Sequence, residues 1–211
     1  MKQKIILLMA ALILAGCAEQ PPKHTISLVT STPEKMPSPP VAPTGTYGNF
    51  IHDSANIYGI DENLVKAIIK VESGFNPSAV SRSNAIGLMQ LKAETAGRDA
   101  YRYKGRYGQP SSFELKDPEV NIDLGTAYLG IIKRQLAGIS DQQTLRYAII
   151  VSYVNGTGAL LRTFSSDKDE AIARINDMTP EQFYRYVQTR HPAAQAPRYL
   201  WKVNTAYLAM R

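Results

Sequence analysis

From about residue 49 to the C-terminus, apolar side chains recur three and four positions apart, the spacing of amphipathic helices. Asp61 stands where a cap belongs, ahead of a helix running to about Ser73, with Gly74 past its end and Pro77 beyond. Residues 121–136 place Ile122, Gly125, Leu129, Ile132 and Leu136 at helical spacing, and Gly138 follows. Residues 141–154 do the same with Leu145, Ala148, Ile149 and Ser152. Thr179-Pro180-Glu181-Gln182 has the pattern of a capping box with proline at the first helical position. Pro197 is a start for the last helix, on which Tyr199, Val203 and Tyr207 lie four apart. Alternating strand patterns with hairpin turns are nearly absent, and residues 85–91 read equally as a short strand or a helical turn. The expected fold class is mainly α, with little or no β structure.

The N-terminal part follows other rules. Lys2 and Lys4 precede an apolar run over residues 5–14, then Ala15 and Gly16 supply small residues before Cys17. That is a secretory leader, too short to span a bilayer. Residues 18–48 hold seven of the thirteen prolines among Ser and Thr, with no apolar periodicity, which predicts an extended tether. The expected division is a leader at 1–16, a tether at 17–48 beginning with Cys17, and one domain at 49–211.

Composition narrows the chemistry. In 211 residues there is one cysteine, and His24, His52 and His191 are scattered singly, so no metal site and no internal disulfide is expected. Two of the six net positive charges belong to the leader and the rest are dispersed, which argues against nucleic acid as a partner.

One residue breaks the pattern of its helix. On a wheel of about 100° per residue, Glu72 falls roughly 20° from Val65, inside the apolar stripe that Ile68 and Ile69 share. A carboxyl aimed at a core has a raised pKa, because desolvation disfavours the charged form, and must be paired, protonated or set in a cleft. A raised-pKa carboxyl at a cleft edge is the equipment of a general acid in glycoside cleavage. That chemistry ordinarily takes a second carboxylate. None follows until Glu94, Asp61 and Glu62 sit nearly three turns back, and nothing marks out Asp99, Asp117 or Asp123. A single acid/base carboxyl is the simplest reading.

Glu72-Ser73-Gly74, Asn76-Pro77, Ala85-Ile86-Gly87-Leu88-Met89-Gln90, the stretch from Asn121-Ile122 to Tyr128-Leu129 and Ser152-Tyr153-Val154-Asn155-Gly156 together resemble the catalytic module of the lytic transglycosylases, which has a goose-type lysozyme-like fold. The later Ala159-Leu160-Leu161-Arg162-Thr163-Phe164 and Gln195-Ala196-Pro197-Arg198-Tyr199 are similar to the membrane-bound, endo-type branch lettered E in Gram-negative bacteria. The resemblance covers roughly residues 50–211. It implies cleavage of the β-1,4 bond between N-acetylmuramic acid and N-acetylglucosamine, without water and without a cofactor. Glu72 would act as acid and then base, with Ser81, Ser83 and Tyr199 in support. Ser73, Gly87, Met89, Gln90, Tyr153 and Asn155 would contact the glycan, although Met89 and Tyr153 also read as core and the two serines as turn caps. Many members read Tyr-Asn-Ala-Gly where this chain has Tyr153-Val154-Asn155-Gly156, a variant the endo-type branch shares. By the same resemblance, Leu14-Ala15-Gly16-Cys17 is a lipobox, Cys17 carries the lipid (palmitate included), and Ala18 in place of Asp directs the protein to the outer membrane, facing the periplasm. The implied partners are peptidoglycan strands and the membrane. Tyr101, Tyr103 and Tyr107, interleaved with Arg102, Lys104 and Arg106, read either as a groove-edge loop meeting acidic stem peptides or as a solvated loop. A water-using muramidase and a non-catalytic wall-binding lipoprotein are the competing functions.

Overall fold

Capping side chains set the starts of most of the longer helices in the computed structural model, which describes residues 46–211. The expected leader, the lipidation residue Cys17 and the tether up to residue 45 lie outside the described residues. Tyr47 is already buried, and α1 (Gly48–Tyr58) begins within the last residues expected to be tether. Asp61 starts α2 (Glu62–Glu72) by accepting from the Asn63 N–H at 2.8 Å. A π-turn at Ala93–Gly97 leads directly into the short α3 (Arg98–Tyr103).

The next helix, α4 (Pro118–Gln135), begins three residues before the periodic run predicted it. Asp117 caps it through the Val120 N–H at 3.0 Å, and Pro118 occupies the first helical position, where its missing N–H costs nothing. The run expected over residues 141–154 is α5 (Gln142–Asn155), and Asp141 caps it through the Thr144 N–H. The helices α6 (Thr157–Arg162) and α7 (Lys168–Asn176) follow, and α8 (Pro180–Arg190) opens on a full capping box from Thr179 and Gln182. The last helix, α9 (Gln195–Leu208), starts two residues before Pro197, which sits within its first turn, where a proline breaks no helical hydrogen bond. Among the described residues there is no strand. Residues 85–91 are neither strand nor helix: isolated bridges join Ile86 to Val80 and to Leu91, with turns between.

The core forms around α4, whose Ile122, Leu124, Ala127, Leu129 and Ile132 are buried. The helices α1, α3 and α5 pack on it, and α9 packs against both α2 and α5. These contacts bring the C-terminal ends of α2 and α5 to the first turns of α9, and the loop over residues 73–91 lies beside them. That loop is conformationally costly: Phe75, Asn84 and Gln90 have positive φ, where side chains with a Cβ are disfavoured. Asn121 holds it. Its buried amide accepts from the Met89 N–H at 2.8 Å and donates to the carbonyls of Ile86 at 2.9 Å and Leu115 at 2.8 Å. Gly87 is required at this point, because a Cβ there would collide with the Leu115 carbonyl and the Asn121 amide.

Candidate active site

Glu72 closes α2 on the same stripe as Val65, Ile68 and Ile69, all fully buried, so its carboxyl leaves the core at the helix end. There it meets a cleft of about 520 Å³. Burial pushes its pKa up, against the hydrogen bond from Tyr199 and the positive charge of Lys202, which pull it down. Its place in the last helical turn, near the negative end of the helix dipole, also disfavours the anion. Tyr199, on the second turn of α9, donates its hydroxyl to Glu72 Oε1 at 2.6 Å. Burial first, then the nearby Glu72 carboxyl, raises the Tyr199 phenol well above its ordinary range, so it remains a donor.

Tyr153 forms the wall contributed by α5. Its hydroxyl donates to the Met89 carbonyl at 2.7 Å, and its ring meets that of Tyr128 edge-on with centroids 5.8 Å apart. Tyr128, on α4, lines the cleft too, as do Val154 and Gly156 at the end of α5. Ser81 and Ser83 line the side formed by the loop. Their hydroxyl oxygens are 3.1 Å apart, and Ser81 Oγ accepts from the Ala85 N–H at 2.9 Å, so Ser81 caps the turn while facing the cleft. Gln90 completes this side, its amide donating to the carbonyls of Ala79 and Gly87. Lys92, Thr95 and Ala96 lie on the π-turn side.

Glu72, Ser81, Ser83, Gln90, Tyr153 and Tyr199 are thus brought together. Tyr199 stands behind the lining and joins it through Glu72, and four other expected residues also lie outside it, each for a structural reason. The Met89 side chain is fully buried and packs on Gly125, so only its backbone carbonyl bears on the site. Ser73 donates its hydroxyl to the carbonyls of Ile69 and Leu88, tying the helix end to the loop. Gly87 answers to packing. Asn155 accepts from the Gln195 amide at 2.7 Å, linking α5 to the first turn of α9. The sequence did not single out Lys92, Thr95 or Lys202, and it placed Tyr128 in a matching stretch without giving it a role in the site. Tyr128 does fall on the face of α4 shared by Gly125, which the Met89 side chain covers.

Among the described residues Glu72 is the one carboxylate lining the cleft. Asp117 is spent as a cap, Asp123 pairs with Lys104 at 2.9 Å, and Asp61 accepts from Tyr207 at 2.7 Å. Asp99 lies 3.9 Å from Arg102. No group of His, Cys, Asp and Glu arranged for a metal ion occurs among the described residues.

The cleft is therefore a single desolvated acid, a bonded tyrosine, two hydroxyls and an aromatic wall, a set suited to proton transfer at a bound sugar. Comparison with known proteins shows the family. The transglycosylase SLT domain family matches residues 49–176. The endo-type membrane-bound lytic murein transglycosylase A of Cronobacter sakazakii is 51% identical over 205 residues, spanning 97% of this chain and 98% of that protein. The protein of the same description from Salmonella paratyphi B is 58% identical over 154 residues, 72% of this chain and 76% of that one. These relatives carry the letter A where the sequence resemblance pointed to E, with the same endo-type, membrane-bound description. Among solved structures, the 70-kDa soluble lytic transglycosylase of Escherichia coli superposes with a TM-score of 0.59 at 26% identity. That match covers 80% of this chain and 24% of the larger one, and it carries the lysozyme-like fold. With that family model over residues 49–176 and a relative spanning 97% of its length, the chain belongs to the lytic murein transglycosylases, lyases that act on peptidoglycan.

Proposed function

We propose that the enzyme cleaves the β-1,4 bond between N-acetylmuramic acid and N-acetylglucosamine inside glycan strands and releases a 1,6-anhydromuramic product, with Glu72 as the one acid/base group. Protonated Glu72 gives its proton to the glycosidic oxygen as the C1–O bond breaks. The muramoyl acetamido oxygen takes up the charge at C1 in place of a carboxylate. Ionised Glu72 then removes the proton of the C6 hydroxyl, whose oxygen closes on C1 and displaces the acetamido oxygen. Glu72 ends protonated, as it began, so one carboxyl serves both steps. The observation that supports this most is a carboxyl with a raised pKa in a cleft whose described lining offers no second carboxylate.

In this reading Tyr199 positions the Glu72 carboxyl and Ser81 and Ser83 bond near it. The Tyr128–Tyr153 wall stacks on sugar faces, since such rings are apolar plates with a polar tip. The protein reaches its substrate from the outer membrane, facing the periplasm, as a lipoprotein held by Cys17 after loss of residues 1–16, with residues 17–48 as the tether to the catalytic domain. The membrane-bound description of its relatives supports this. Among the described residues no helix is long and apolar enough to cross a membrane.

Glu72→Gln tests the assignment. It keeps the volume and removes the transferable proton, so release of fragments from purified sacculi falls by at least ~10³. A folded Glu72→Gln protein with near-normal turnover would end the assignment.

A further inference from the structure

Beside the cleft, and separate from it, α3 and the turn after it enclose a hollow of about 450 Å³ lined by Arg98, Arg102, Gly105, Arg106, Tyr107 and Gly108. Its lining carries three guanidinium groups and, among the described residues, no carboxylate. Arg98 and Arg102 are one helical turn apart on α3 and so share a face. Arg102 is well exposed, with Asp99 no nearer than 3.9 Å. The turn is built to hold this shape. Arg106 N–H donates to the Tyr101 carbonyl at 2.8 Å, and the Arg106 guanidinium lies over the Tyr101 ring, 3.8 Å from its centroid. Glu114 accepts from the Tyr101 hydroxyl and from Arg106 at 3.1 Å, and these bonds with those from Ser111 hold its carboxyl down to about 2. Tyr107, 98% exposed, stands at the rim with its ring in water.

The hollow continues a wall of the cleft. Thr95 and Ala96 line the cleft, and the same helical stretch reaches Arg98 and Arg102 about 5 and 10 Å further on, at roughly 1.5 Å per residue. Burial first, and then the charge of Asp99 on α3, raises the phenol pKa of Tyr128, which also lines the cleft. An extended peptide covers about 3.3 Å per residue, so three residues attached to a sugar in the cleft span the gap. Peptidoglycan carries such a chain, an acidic peptide joined to muramic acid through its lactyl group. Guanidinium forks bind carboxylates in two parallel hydrogen bonds, stronger than neutral ones.

We propose that the Arg98–Arg102–Arg106 hollow receives the carboxylates of the acidic peptide carried by the glycan strand, a second contact beside the cut that favours peptide-bearing over naked strands. This rests on the reading of the Glu72 cleft as the cutting site. The solvated-loop alternative for the same segment predicts no such preference.

The test uses Arg98→Gln/Arg102→Gln in the full chain, leaving Arg106 to its bonds with Tyr101 and Glu114. Uncross-linked peptide-bearing strands are compared with the same strands stripped of peptide by an amidase. The double variant loses ~10-fold or more in kcat/KM on peptide-bearing strands and changes less than ~2-fold on stripped ones. The wild-type preference also shrinks as salt rises, because the contact is exposed. Equal losses on both substrates, or no loss on either, would overturn the proposal. Binding of peptide-bearing strands to the Glu72→Gln protein reads the hollow without turnover. Affinity there must fall when Arg98 and Arg102 are replaced, and unchanged affinity overturns the proposal. Failure of the wild type to cut either substrate at the sugar bond would instead count against the cutting site alone.

Discussion

At the scale of single residues, the proposed chemistry depends on keeping one carboxyl protonated at a cleft and free to ionise on demand. Burial raises the Glu72 pKa in the folded protein above its unfolded value. The folded form therefore binds that proton more tightly, and the stability this contributes is full below the ordinary carboxylate pKa and lost as pH rises through the raised one. Gln has no such loss. The melting-temperature gain from Glu72→Gln is close to zero in acid and grows toward neutral pH, and a gain largest in acid would contradict the burial argument. Tyr199 divides differently. Its ring packs by α2 and its hydroxyl reaches Glu72, so Tyr199→Phe keeps the packing and removes the bond. Turnover falls by roughly 10–10³ with a stability change of about 1 kcal/mol. A stable Tyr199→Phe protein with normal turnover would remove the hydroxyl from the site.

At the scale of elements, the site is an assembly of helix ends and one strained loop. The caps at Asp61 and Thr179 are legible because capping is local and chemically distinctive. Asp117-Pro118 carries the same signal, but the apolar run after it begins at Ile122, and periodicity alone placed the start too late. The short helices α3 and α6 offer too few turns for a period to register. Glu72 was legible because a carboxylate on an apolar stripe is a contradiction that a wheel exposes. The shape of the 73–91 loop was not, since it is held by Asn121, thirty residues further along, and no local pattern reports that. Asn121→Ala would leave three backbone groups without partners and cost about 3 kcal/mol or more. Activity falls with it, since Met89 anchors Tyr153 through its carbonyl. Thermal unfolding and turnover measured on the same Asn121→Ala sample check this. A loss below about 1 kcal/mol would mean that the loop holds its own shape.

At the scale of the whole molecule, the helical domain follows N-terminal residues, proposed to be a leader and a Pro-rich tether, whose sequence shares none of its patterning. The proposed arrangement puts a lipid at Cys17, up to about 90 Å of extended chain behind it, and the cleft at the far end. Cys17→Ala should leave the domain folded and active on soluble glycan but absent from the outer-membrane fraction. Wild-type protein found mainly in the inner membrane would contradict the outer-membrane assignment. The central chemical claim is that one carboxyl does two proton transfers with no water entering the product. Mass spectrometry of the fragments released from purified sacculi measures that claim directly. The account predicts muramic ends in the 1,6-anhydro form, one water lighter than a hydrolysis product. Fragments with reducing muramic acid ends would show that water attacks C1, and the single-carboxyl mechanism at Glu72 would be wrong.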